Sequence, residues 1–63
     1  MYVKYYRLGD KLVKIESMKR LENNLIQINY SCLLSGKSDM INVLESELNN
    51  IFSKDNEYTP KFN

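Results

Sequence analysis

Hydrophobic and polar residues alternate most regularly between positions 25 and 34 of the chain. This alternation predicts a half-buried strand, because successive side chains of a strand point to opposite faces of its sheet. Residues 2–8 and 12–21 share the period of two and are rich in β-branched and aromatic side chains, so they predict two further strands. Gly9-Asp10 and Asn23-Asn24 separate the three segments and tolerate the positive φ of tight turns.

The faces on which these strands place their apolar residues predict how they pair. A two-residue turn at 23–24 sets Ile15 opposite Cys32 and keeps apolar positions on one face of the second hairpin. In the first hairpin, a two-residue turn at 9–10 mixes the faces, whereas a three-residue loop sets Tyr5 opposite Ile15 and keeps one apolar face continuous. A three-residue loop prefers its glycine last, but face matching favours this second register.

Residues 38–53 predict an amphipathic helix, because their apolar residues recur at the helical spacing of one face. Ser38 or Asp39 is a suitable N-cap. The expected fold class is α+β, a three-stranded antiparallel β-meander with one C-terminal α-helix packed on one face (βββα). Residues 1–53 form this single domain and residues 54–63 an extended C-terminal tail. The predicted core consists of Val3, Tyr5, Val13, Ile15, Leu21, Ile26, Ile28, Tyr30, Cys32 and Leu34 on the sheet and Ile41, Leu44, Leu48, Ile51 and Phe52 on the helix.

The composition excludes several classes of protein. The 63 residues include one Cys and no His, so neither an internal disulfide nor a Cys/His zinc site is available, and we expect no cofactor and no metal. Nine basic residues against eight acidic ones give a net charge of +1, too small to attract nucleic acid or an anionic membrane strongly. No apolar run approaches the roughly 18 residues of a membrane span. A lone Cys without an export signal predicts a soluble, cytoplasmic protein.

No combination of residues favours catalysis, so we expect a protein that is not an enzyme. The commonest general base is missing because the chain has no His. Glu45 and Glu47 lie two positions apart on the predicted helix and do not face each other. Cys32 points into the predicted core, where a Cys is usually a small hydrophobic residue. The segment 35–38 has the Gly-Lys-Ser order of a phosphate loop but lacks its upstream glycine, which favours a simple turn.

The sheet face that the helix leaves uncovered is the predicted interaction surface, because aromatic residues and Met are enriched at interfaces. A second copy of the chain is the simplest partner, since a small domain gains stability by burying another face. Strand one and the end of strand three also offer open edges for pairing. Alternatively the apolar residues are scattered, or tail residues Tyr58, Pro60 and Phe62 cover them. The predicted partner-binding residues are Tyr2, Tyr6, Arg7, Leu8, Leu12, Lys14, Met18, Arg20 and Leu33.

Two hypotheses of function result. The first is a small non-catalytic protein-binding module, an inhibitor or accessory regulator of the kind that phages and mobile elements carry, which acts by occluding a surface. The alternative is nucleic-acid binding by the N-terminal hairpin, where Tyr, Lys and Arg interleave; Glu16, Glu22 and the low net charge count against it. In a less favoured version of the first hypothesis, acidic residues of the helix and tail imitate phosphates and block a nucleic-acid-binding target; these residues are Asp39, Glu45, Glu47, Asp55 and Glu57.

Overall fold

A computed structural model describes residues 4–58 of the chain, which form one antiparallel sheet of five strands. The strands lie side by side in the order β4-β3-β2-β1-β5. Between β4 and β5 the chain forms a 3₁₀ helix (Glu45–Glu47), the short helix α1 (Leu48–Ile51) and a second 3₁₀ helix (Lys54–Asn56). No helix of the described part is long and apolar enough to cross a membrane. The strands are β1 (Tyr5–Leu8), β2 (Lys11–Arg20), β3 (Leu25–Cys32), β4 (Ser38–Leu44) and β5 (Glu57–Tyr58).

The expected three-stranded meander with a packed helix is therefore wrong. Residues 38–44, expected to form the first half of the helix, are strand β4, which pairs with β3 along its whole length. Two of its residues, Ile41 and Val43, are β-branched and disfavour a helix, and they alternate with Asn42 as a strand requires. Pairing with β4 also supplies hydrogen-bond partners for the backbone groups on the side of β3 that β2 leaves free. The hydrophobic periodicity of residues 38–53 alone could not predict this pairing.

The first hairpin contains the shorter of the two turns considered. Leu8 pairs with Lys11 across a two-residue turn, so the favoured three-residue register is wrong. Gly9, the first turn residue, has a φ of +63°, as the first central residue of a type II′ turn requires. Glycine meets that requirement without steric cost. This register turns Tyr6 and Leu8, rather than Tyr5, toward the core side of the sheet.

The turn of the second hairpin is one residue longer than expected. Its loop spans Glu22–Asn24, and the Leu21 N–H donates to the Leu25 carbonyl at 2.8 Å to close it. Asn23 and Asn24 both adopt positive φ, +59° and +60°, which Asn tolerates better than most residues. The pairs next to the turn are therefore displaced by one position from the predicted register.

A β-bulge in β2 changes the register again. The pairing shifts between Ile15 and Ser17, so Glu16 is an extra residue with no directly opposite partner. Ile15 pairs with Tyr30 instead of the expected Cys32. After the bulge the alternation of β2 is reversed, and this reversal brings Met18 onto the same side of the sheet as Ile15.

The two faces of the sheet differ in burial. The inner face carries all four hydrophobic residues that are buried within residues 4–58, namely Val13, Ile26, Ile28 and Tyr30. The segment between β4 and β5 lies over this face, because the Phe52 ring meets the Tyr6 ring edge-on with centroids 4.9 Å apart. The opposite, outer face carries no buried residue among those described.

Several residues of the predicted core lie elsewhere. Leu34 is 92% exposed in the turn between β3 and β4, and Leu44 is 51% exposed at the end of β4. Ile41 lies on the inner face but at the edge strand, where 39% of it is exposed. Tyr5 is on the outer face, because it pairs with Lys14. Val3 lies outside the described residues.

Candidate functional site

The residues predicted to bind a partner do not share a face, because the hairpin turn and the bulge alter which side each residue takes. Their binding role itself stays a prediction. Tyr2 lies outside the described residues, and Leu33 follows β3 in a turn. The structure places Tyr6, Leu8, Met18 and Arg20 on the inner face and Arg7, Leu12 and Lys14 on the outer face.

The edge of the sheet formed by β4 is a different candidate, which the sequence interpretation missed by assigning these residues to a helix. β4 is seven residues long and pairs with β3 on one side. Among residues 4–58 no strand pairs with its other side, because β4 is the last strand in the sheet order. We call this unpaired side of Ser38–Leu44 the β4 edge. An edge of this kind presents backbone donors and acceptors to a further strand.

The backbone groups that the β4 edge presents follow from hydrogen bonds at both ends of the β3–β4 ladder. The Lys37 carbonyl accepts from the Cys32 N–H at 2.8 Å, and the Glu45 N–H donates to the Asn24 carbonyl at 2.8 Å. In an antiparallel ladder, alternate residues direct both backbone groups toward the same neighbour. The odd-numbered residues from 37 to 45 therefore bond β3, and the even-numbered residues 38, 40, 42 and 44 point outward.

The side chains of the β4 edge are apolar on both faces of the sheet. Ile41 and Val43 belong to the inner face, and Met40 and Leu44 to the outer face. Met40 is 57% exposed and Leu44 51%. Asp39 is the one charged residue of the strand. Edge strands usually carry Lys, Pro or a bulge that discourages pairing with other chains, and β4 contains none of these.

One side chain partly occupies the β4 edge. The Asp39 carboxylate accepts a hydrogen bond from the Met40 N–H at 2.8 Å. This contact agrees with the outward direction of the Met40 N–H, since an inward group would be bonded to β3. An incoming strand that bonds Met40 must displace the carboxylate, so Asp39 weakens pairing at this end of the edge.

The opposite edge of the sheet is shielded. Strand β5 covers β1 with the pairs Tyr5↔Tyr58 and Tyr6↔Glu57 and is only two residues long. Lys4 Nζ lies 3.0 Å from Glu57 Oε1, and this hydrogen bond and the carboxylate charge raise the pKa of Lys4 above its usual 10.5. A third contact comes from the Asn56 amide, which donates to the Arg7 carbonyl at 3.0 Å and to the Ile51 carbonyl at 2.7 Å.

The outer face gathers part of the N-terminal hairpin's basic and aromatic residues. Tyr5 lies between Tyr58 on one side and Lys14 on the other. Arg7 and Lys19 share this face and are exposed. Uncharged polar side chains fill much of the remainder, and Glu16 is engaged there as the acceptor of a 2.8 Å hydrogen bond from Ser31 Oγ. The face is thus positively charged beside two tyrosines.

The acidic residues considered as a phosphate mimic are dispersed. Glu45 forms an ion pair with Arg20, with Nη2 and Oε1 2.8 Å apart, and Glu57 pairs with Lys4. Asp39 is engaged by the backbone of β4. Within the described residues no three His, Cys, Asp or Glu side chains are grouped so that they could hold a metal ion.

Comparison with known proteins finds no match for this chain among protein-family models, curated proteins or solved structures. The geometry of the chain itself therefore carries the argument about its function.

Proposed function

We propose that this protein is a small, non-catalytic protein-binding module that docks through the β4 edge. It acts as an inhibitor or accessory regulator in the cytoplasm, by adding its sheet to an extended segment of a larger protein and occluding that segment. The observation that carries the proposal is a seven-residue strand that is paired on one side only within the described residues and has exposed apolar side chains on both faces.

Strand addition suits the chemistry of this edge. Main-chain hydrogen bonds to residues 38, 40, 42 and 44 supply affinity that does not depend on the partner's sequence. Side chains alternate along the bound segment, so one set meets Ile41 and Val43 and the other meets Met40 and Leu44. The expected partner segment is accordingly extended, apolar at most positions, and free of acidic residues where it approaches Asp39.

The proposal is tested by comparing the proteins captured by wild type with those captured by two variants that carry the same substitution on and off the β4 edge. Asn42 and Asn49 are both exposed, but Asn42 lies in the middle of the β4 edge and Asn49 on α1. Asn42→Lys places a charge on the edge, and Asn49→Lys makes the same change away from it. Tagged wild type and both variants are used as baits in a lysate of the native host, and captured proteins are quantified by mass spectrometry.

We expect a partner that wild type and Asn49→Lys retain equally and that Asn42→Lys loses at least tenfold. Circular dichroism of the purified variants confirms that both are folded. A partner retained equally by all three baits would show that binding occurs elsewhere, and the proposed use of the β4 edge would be wrong.

Binding of single-stranded nucleic acid is the second candidate, favoured by the two tyrosines beside basic residues on the outer face. Tyrosine rings stack on bases, and Lys and Arg contact phosphates. Two other basic residues contribute little charge to such a surface, since Arg20 is paired with Glu45 and Lys4 with Glu57. Arg7, Lys14 and Lys19 thus give the outer face a positive charge that the net charge of +1 does not reveal.

Fluorescence anisotropy with a labelled single-stranded oligonucleotide at low salt tests this candidate. Lys14 is opposite Tyr5 on the outer face, whereas Lys11 lies on the inner face opposite Leu8. Nucleic-acid binding there predicts that Lys14→Glu weakens affinity more than tenfold and that Lys11→Glu changes it far less. Equal losses would indicate attraction by net charge, and no binding by wild type at tens of micromolar would eliminate the candidate.

A further inference from the structure

We infer that the β4 edge also pairs with the β4 edge of a second copy of this chain, in antiparallel orientation, to form a continuous ten-stranded sheet. The inference rests on the proposed function, in that both use the same edge. Its basis is the sequence of β4, which is complementary to itself when one strand is reversed.

The direction of the backbone groups restricts the possible registers. A two-fold axis perpendicular to the sheet preserves its faces, so each residue must meet one of equal parity in the second copy. The outward groups of residues 38, 40, 42 and 44 then face one another as hydrogen-bonded pairs. Registers in which even-numbered residues meet odd-numbered ones would join the inner face of one copy to the outer face of the other.

One of the permitted registers matches apolar residues throughout. With Asn42 opposite Asn42 at the axis, Met40 lies opposite Leu44 on the outer face and Ile41 opposite Val43 on the inner face. Each of these pairs occurs twice because of the symmetry. The three outward-pointing pairs, two hydrogen bonds each, contribute about six main-chain hydrogen bonds.

The neighbouring register is poorer. With Ile41 at the axis, Asp39 lies opposite Val43 and Met40 opposite Asn42, so charged or polar side chains meet apolar ones. The register centred on Asn42 avoids this mismatch, and its central amides are each both donor and acceptor and so pair with one another. Its cost is the approach of Asp39 to Glu45 at each end.

Glu45 reduces that cost because it is already engaged. Arg20 lies 2.8 Å from Glu45 through Nη2 and 3.3 Å through Nη1, so the carboxylate is neutralised by a two-pronged contact. The Asp39 carboxylate must leave the Met40 N–H, which then donates to the Leu44 carbonyl of the second copy. Self-pairing therefore exchanges a local hydrogen bond for one between the two copies.

Site-specific disulfide formation tests the register. In a Cys32→Ala background, Asn42→Cys introduces a single thiol at the axis, where the two Cα atoms lie about 5.5 Å apart as in a hydrogen-bonded strand pair, within the range that a disulfide spans. Ser38→Cys is the matched control on the same edge. In the same register the two Ser38 positions are separated by roughly eight residues, about 27 Å at 3.4 Å per residue.

We expect mild oxidation to convert most of the Asn42→Cys protein into a covalent dimer on a non-reducing gel and to leave Ser38→Cys largely monomeric. Sedimentation of the wild type at micromolar concentration should show a dimer that Asn42→Lys dissociates and Asn49→Lys does not. Equal cross-linking of the two thiol variants, or a wild type that stays monomeric, would overturn the inference.

The outcomes separate self-pairing from the proposed function. A monomeric wild type whose partner is lost by Asn42→Lys leaves the proposed function intact and contradicts self-pairing. A dimer centred on Asn42, with no partner that depends on this edge, supports self-pairing and contradicts the proposed function.

Discussion

The β5 edge of the sheet is two residues long, carries an ion pair and is held by side-chain hydrogen bonds, whereas the β4 edge is seven residues long and carries one charged residue. Both belong to one small sheet and meet the same solvent. The β5 edge has several features that discourage strand addition, whereas the β4 edge has only the Asp39 carboxylate at one end. Protection of an edge is therefore a local property of the strand and side chains at that edge, and in this sheet the β4 edge is the less protected of the two.

The largest expected effect comes from removing the contact that brings the chain across to β5. Phe52→Ala deletes the ring that packs edge-on against Tyr6. Buried Phe→Ala changes cost about 3–5 kcal/mol, and Phe52 is half-buried, so we expect a loss of about 2–4 kcal/mol in the free energy of unfolding. Urea denaturation followed by circular dichroism measures it.

Phe52→Leu is the control for that change, because it retains an apolar side chain in the same place. It should recover much of the lost stability. If Phe52→Ala costs less than about 1 kcal/mol, no more than an average substitution, the ring does not hold the chain over the inner face, and β5 is anchored by other contacts.

Proline distinguishes the two sides of β4. Ile41→Pro removes an N–H that bonds β3 and leaves a carbonyl unpaired, which costs about 1–3 kcal/mol in addition to the lost side chain. Asn42→Pro removes an outward N–H, so the free energy of unfolding of the monomer should change much less. Thermal denaturation at low concentration measures both. Equal destabilisation would show that the outward and inward assignments are wrong.

Removing the one charge from β4 should make its edge more open to pairing. Asp39→Ala frees the Met40 N–H and removes the negative charge that approaches Glu45 in the self-paired sheet. We expect self-association to tighten several-fold, measured as a dissociation constant by sedimentation equilibrium. Asp55→Ala removes an exposed acid from the second 3₁₀ helix and serves as control. Unchanged association in Asp39→Ala would contradict the assigned register.

The smallest expected effect is at the β5 edge. The raised pKa of Lys4 means that its pairing with Glu57 stabilises the fold below pH 10.5 and is lost as the pH rises through the raised value. Glu57→Gln should abolish this alkaline dependence and speed amide exchange in β1 and β5, with little change in the global unfolding midpoint. Hydrogen exchange from neutral to alkaline pH compares the variant with wild type. Identical profiles would show that the ion pair does not hold this edge.

Three strands of the sheet were predictable because alternation within a strand is a local property. The segments 2–8, 12–21 and 25–34 overlap β1, β2 and β3, with bounds displaced by up to three residues. The hydrophobic pattern of residues 38–53 does not distinguish a strand from a helix, because Ile41 and Leu44 are also three positions apart and so fit one face of a helix. Pairing with β3, a contact distant in sequence, decides the structure of that segment.

The faces taken by the predicted partner-binding residues were not predictable, since they depend on the register of the strands. A one-residue change at either hairpin turn exchanges the faces of a strand, and the bulge at Glu16 exchanges them again within β2. Gly9 as the first of two turn residues was the one local sign of the true first register. The β4 edge itself becomes visible only when residues 38–44 are recognised as a strand.

The bulge has a consequence for how β2 tolerates mutation. Before Glu16 the odd-numbered residues face the core, and after it the even-numbered residues do, so a single strand contains two opposite rules for where a charge is acceptable. Substitution at Glu16 leaves both rules in place. Deleting this one residue would leave Ile15, Ser17 and Met18 in regular alternation, with Ile15 and Met18 both still toward the core, so the two rules would merge into one. The reversal along β2 therefore depends on the length of the chain at this position and not on the identity of the residue there.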